Sequence, residues 1–145
     1  MNETIGTRVP RHLWVVGTLA VLWNGIGAFD YAATQFRYQP YMSQFTPEQL
    51  AYFYGFPAWA TSAWAIAVWS AVIASVGLLL RKSWAVGLFG LSIAAMLVTA
   101  LYNFVLSDGL GMLGAGGMVF TVVIWVIAFA LFFYARRMAG RGVLR

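Results

Sequence analysis

Four apolar runs bounded by charges restrict this chain more than anything else in it. Leu13 to Phe29 is a stretch of 17 residues between His12 and Asp30; Ala58 to Leu80, Trp84 to Leu106 and Met112 to Tyr134 hold 23 each. At ~1.5 Å per residue, each longer run gives about 34 Å of helix, enough for a hydrocarbon core of ~30 Å. Backbone in lipid must satisfy its own hydrogen bonds, so each run is expected as a helix. The first run reaches the needed length if its helix continues past Asp30 through Ala33. The expected fold is all-α: a single antiparallel four-helix transmembrane bundle over 1–145. Its spans are 13–33, 58–80, 84–106 and 112–135, with an outer loop at 34–57 and a basic tail at 136–145.

Composition excludes most alternatives. With 62% hydrophobic and 9% charged residues, the chain lies outside the soluble globular range. The lack of cysteine removes disulfides, iron–sulfur clusters and thiolate zinc sites. A formal charge of +5 could suggest nucleic acid, but the basic residues stand at the ends of apolar runs, so no nucleic-acid partner is expected. Arg8, Arg11, Arg81, Lys82, Arg136, Arg137, Arg141 and Arg145 fall on the side of the termini, and only Arg37 on the other. That asymmetry predicts cytoplasmic termini, with Glu3 inside and Asp30, Glu48 and Asp108 at the outer side. Arg8, Arg11 and the first run also resemble a signal peptide. The run is too long for a usual apolar region and lacks a small-residue exit, so the helix is expected to be retained.

Small residues mark the faces on which helices approach each other in lipid. They recur as Gly17, Ala20, Asn24, Gly27 on the first helix, and as Ala60, Ala63, Ala67, Ala71, Ala74 on the second. Ser92, Ala95 and Thr99 mark the third, and Gly114, Gly117 and Thr121 the fourth. Some of these seams could face another protomer. In the long loop, Thr46-Pro47-Glu48-Gln49 reads as a capping box that opens a short helix to about Tyr54. Leu50, Tyr52, Phe53 and Tyr54 place that helix in the outer interface, as a lid on the bundle.

Two groups of residues are candidate ligand-binding sites. Asp30 lies about 25 Å along the first helix from Leu13, near the outer edge of the core. It reads either as a ligand for a cation or solute, or as a headgroup-level acid paired with Arg37 or capping a helix. Tyr102, Asn103 and Thr99, with Thr61 and Ser62, lie at comparable depth and could line an outer vestibule, or serve as interhelical hydrogen bonds of about 0.6 kcal/mol each. Deeper, Asn24 falls near the midplane beside Trp23, with Trp69 and Trp125 at similar depth. These could form a pocket for a flat or ring-shaped ligand, or simply fill volume. His12 is the only histidine, at the inner interface, so bis-histidine haem is excluded. Gly109, Gly111 and Gly114 match G-x-G-x-x-G but follow no strand, and no catalytic constellation can be assembled. Neither an enzymatic activity nor a cofactor or metal is expected.

The pattern W-N-x-x-G-x-x-D-Y-x-x-T-Q (Trp23, Asn24, Gly27, Asp30, Tyr31, Thr34, Gln35), followed by YMSQFTPEQLAYFYGFPAW, resembles a set of small, uncharacterised bacterial membrane proteins, some of which carry a sugar-transporter name. The resemblance spans nearly the whole chain. It implies a multi-pass protein of the bacterial inner membrane and brings no assigned binding residues with it. Two functions follow as expectations. One is transport or binding of a sugar-like small solute, as a homo-oligomer in the lipid bilayer. The other is a non-catalytic accessory or assembly role in a larger membrane complex.

Overall fold

The computed structural model describes residues 7–145; Glu3 lies outside them. Helices α1 (Arg11–Gln35), α2 (Gln39–Met42), α3 (Pro47–Tyr54), α4 (Ala58–Leu79), α5 (Trp84–Leu101) and α6 (Gly109–Gly140) follow in order, with a π-helical turn at Tyr102–Leu106 after α5. No strand occurs among the described residues. Four helices are long and apolar enough to cross a membrane: α1, α4, α5 with its π turn, and α6. The chain is therefore a multi-pass membrane protein.

Helix α4 is the central element, packed between α1 and α5. Its seam of Ala60, Ala63, Ala67, Ala71 and Ala74 is buried throughout. With only methyl groups in the way, both neighbours approach its backbone closely. Ser92 on α5 is near enough to donate to the Ala67 carbonyl at 2.7 Å. Gly77 shows the same economy. A Cβ there would lie 2.5 Å from the Trp84 ring, so only glycine lets α5 fold back over the end of α4.

Helix α6 packs against α5 but leaves its N-terminal half largely uncovered. Gly114 has φ 64° and ψ −173°, which interrupts the helix after its first turn. Gly114 and Gly116 stand exposed, with Val119, Phe120 and Val122 beyond them. The fourth small-residue seam thus has no full partner within the described chain.

Three helices end in one motif. After α1, Arg37 N–H bonds the Thr34 carbonyl and Tyr38 N–H the Ala33 carbonyl. After α4, Arg81 and Lys82 do the same to Leu78 and Gly77, and after α6, Gly142 and Val143 to Ala139 and Met138. These are Schellman caps, whose turning residue is left-handed and is usually glycine. Gly142 obeys that preference (φ 75°), but Arg37 (φ 52°) and Arg81 (φ 59°) do not. An L-residue there costs roughly 1–2 kcal/mol.

At the basic end, that strained turn holds the chain's last residues in place. Arg81 Nε donates to the Val143 carbonyl at 3.1 Å. Arg145 N–H bonds the Arg81 carbonyl, and Ser83 N–H bonds that of Arg145. Val143 and Leu144 are thereby buried against Leu13, Leu78 and Met138. The segment expected as a basic tail is helical to Gly140 and then tucks beneath the bundle.

Candidate functional site

The polar and aromatic groups gather at the end opposite the basic residues, around the connection from α1 to α4. The capping box forms: Thr46 Oγ1 accepts from Gln49 N–H, and Gln49 Oε1 accepts from Thr46 N–H at 3.0 Å. This fixes where α3 starts. Two bonds then tether α3 across the bundle end. Gln49 Nε2 donates to the Met112 carbonyl, and the Tyr52 hydroxyl donates to Asn103 Oδ1 at 2.5 Å. The acceptor sits in the π turn, where Asn103 Nδ2 also bonds the Thr99 carbonyl. Ser107 Oγ donates to the Tyr102 carbonyl, five residues back.

Rings fill the space between these tethers. Phe56 packs on Tyr102 with centroids 4.7 Å apart and on Trp64 at 5.9 Å; Tyr31 meets Trp64 edge-on at 5.0 Å. Phe29, Tyr41, Phe45 and Phe53 form a second file, each 5.2–5.7 Å from the next. Such pairs contribute about 0.5–1.5 kcal/mol beyond their buried area, so the cover is a packed layer.

Beside these rings lies a partly open cavity of about 130 Å³, lined by Thr34, Gln35, Arg37, Thr61 and the rings of Phe53, Tyr54 and Phe56. It is smaller than the ~300–1,000 Å³ of cofactor and drug sites, and suits a small polar molecule or several waters. The Arg37 guanidinium stands 4.2 Å over the Tyr54 ring, a cation–π contact that holds it at the cavity wall. Arg37 is therefore not spent on Asp30, the pairing that the sequence offers as one reading of that acid.

Asp30 instead accepts the Tyr41 hydroxyl at 2.5 Å, while Thr34 Oγ1 donates to the Asp30 backbone carbonyl. Tyr41 belongs to α2, whose Met42 is only 1% exposed. This latch pins α2 to α1 beside the cavity. Burial foremost, then the bond to Asp30 and that group's charge, push the Tyr41 phenol above its ordinary value. Its folded pKa thus exceeds the unfolded one. The phenol's contribution is present at neutral pH and is lost as pH rises beyond about 10, its ordinary value. Tyr41→Phe removes a bond to an anion, worth about 1.5–3 kcal/mol. In limited proteolysis at pH 7, cleavage within residues 36–46 is expected to accelerate roughly tenfold or more in that variant. The wild type is expected to reach such rates only in strong alkali.

The deeper group of residues does not assemble into a pocket. Asn24 Nδ2 donates to Ser75 Oγ at 2.9 Å, joining α1 to α4. Trp23 leans on Phe120 at 5.9 Å, Trp125 stacks along α6 on Phe129, and Trp69 is 45% exposed on the outside of α4. Trp69 stands two residues from Ala67 and so points to the opposite side from the alanine seam. Of the residues singled out from sequence, Asp30, Tyr102 and Asn103 lie at the covered end, with Asn24 and the three tryptophans elsewhere. Among the described residues, no three His, Asp or Glu side chains form a metal-holding group. Sequence reasoning did not single out Arg37, Gln35 and Thr34 as cavity residues. The available signal was that Arg37 is the lone cation between Arg11 and Arg81, two residues past the Thr34-Gln35 pair that closes the W-N-x-x-G-x-x-D-Y-x-x-T-Q pattern.

Compared with family models, curated proteins and solved structures, the chain matches none.

Proposed function

We propose that this chain is a bacterial inner-membrane protein with cytoplasmic termini that binds a small polar, sugar-like solute beside an outer aromatic cover, without a catalytic step. The cavity carries this reading: a guanidinium, an amide and two threonine side chains line it beside aromatic rings, the mix that recognises hydroxylated or carboxylated small molecules. Mid-depth polar groups are engaged within the chain, Asn24 with Ser75 and Ser92 with the Ala67 carbonyl. Passage across the membrane is therefore assigned to an oligomer, joined through the uncovered seam of α6. The same seam favours a second reading, in which a different membrane subunit covers it and the chain is an accessory component.

The chain has no cysteine, so single substitutions report cleanly. In intact spheroplasts, Gln35→Cys is expected to react with an impermeant maleimide, and Lys82→Cys only after permeabilisation. A panel of monosaccharides, polyols and small carboxylates is expected to contain at least one member that slows labelling of Gln35→Cys. Reversed sidedness would contradict the topology. Absence of protection by any panel member, with co-purification of a second polypeptide, would shift the assignment to the accessory role.

A further inference from the structure

Helices α1 and α6 meet through two pillars. At the basic end, His12 Nδ1 and the Tyr134 hydroxyl are hydrogen-bonded at 2.5 Å, with the rings edge to face. Eleven residues further along α1, Trp23 meets Phe120. Starting one turn along α1 from the first pillar and reaching past Trp23 to Ile26 runs an open groove of about 430 Å³, lined also by Val16, Leu19, Leu22, Ile127 and Leu131. His12, Val16, Leu19 and Trp23 follow helical spacing on one face of α1, and Ile127, Leu131 and Tyr134 on one face of α6.

The groove has a length and a polarity. From Val16 to Ile26 its lining extends about 15 Å along α1, half of a ~30 Å hydrocarbon core and so the depth of one leaflet. Its lining is apolar apart from the Trp23 indole N–H, and interiors left empty lose contact on every wall. At the headgroup end stand His12, Arg11 at the start of α1, and Arg141 at the C-cap of α6. The far end carries no cation.

We infer that this groove holds one acyl chain of an anionic phospholipid, with the headgroup phosphate taken by Arg11, His12 and Arg141. A second copy of the chain fits less well, since an α-helix with side chains is about 10–12 Å across and would have to part the pillars. The inference is independent of solute binding at the other end.

Native mass spectrometry can count the lipids retained after extraction, in mild detergent, from membranes of mixed phosphatidylglycerol and phosphatidylethanolamine. One phosphatidylglycerol per chain is expected, in preference to phosphatidylethanolamine. Each of Arg11→Gln and Arg141→Gln is expected to lower retention roughly fivefold, the value of one juxtamembrane cation toward an anionic lipid. Leu19→Trp fills the groove from a position 60% exposed and is expected to abolish retention with all charges intact. Circular dichroism confirms its helicity, and Leu22→Trp serves if it misfolds. Equal retention of both lipids would overturn the inference. So would undiminished phosphatidylglycerol in the filled variants, or a disulfide between Leu19→Cys on one copy and Ile127→Cys on another with no lipid present.

Discussion

Arg37→Gly is expected to leave the fold about as stable as the wild type while weakening solute binding. The two effects separate because Arg37 occupies a left-handed turn at φ 52°. Glycine relieves roughly 1–2 kcal/mol of backbone strain there. Against that stand the cation–π contact with Tyr54, about 0.5–1 kcal/mol at an exposed site, and glycine's larger loss of freedom, about 0.5–1 kcal/mol. The terms offset to within about 1 kcal/mol. Binding has no such offset. A hydrogen bond to a charged group is worth about 1.5–3 kcal/mol, so affinity is expected to fall roughly 10- to 150-fold. Arg37→Ala retains the strain and loses the contact, so it should be the less stable of the two. An arginine retained where glycine is easier is a local conflict of the kind found at working sites.

Ala74→Leu is expected to destabilise the bundle by about 3 kcal/mol or more. Ala74 is fully buried where α4 meets its neighbours, and added methylenes in a filled site force backbones apart. Ile73, the preceding residue, is 50% exposed on the outside. Ile73→Ala is expected to shift stability by less than about 1 kcal/mol, because lipid tails replace the lost contacts. In a soluble core the order would be reversed, with large-to-small changes the damaging ones. Unfolding in mixed micelles, monitored by circular dichroism, measures both. Comparable losses in the two variants would contradict a bundle held by close backbone approach.

Much of this architecture is legible in the sequence because membrane helices obey simple physics. Charges bound the apolar runs, and alanines at helical spacing name the buried face of α4. The capping box at Thr46–Gln49 starts α3 where expected. The same periodicity places Trp69 away from Asn24, so the absence of a ring pocket was readable from the alanine seam. Other features leave no local trace. Arg37 and Arg81 close turns that glycine usually announces, so the sharp reversal that brings Tyr41 to Asp30 is invisible along the chain. Val143 and Leu144 sit among arginines and glycines and read as a solvated tail; only the turn at Gly142 shows that they fold under. The cavity is formed by residues from α1, α3 and α4, and no spacing rule links those segments.

The decisive measurement is the thermal stability of the purified protein in detergent against the panel of monosaccharides, polyols and small carboxylates, with Arg37→Gly run beside the wild type. At least one solute is expected to raise the wild-type midpoint in proportion to the logarithm of its concentration, as a ligand of the folded state must. The same solute is expected to move Arg37→Gly only at concentrations roughly 10- to 150-fold higher. A shift of equal size in both proteins, or none in either across the panel, would contradict a solute site beside the aromatic cover.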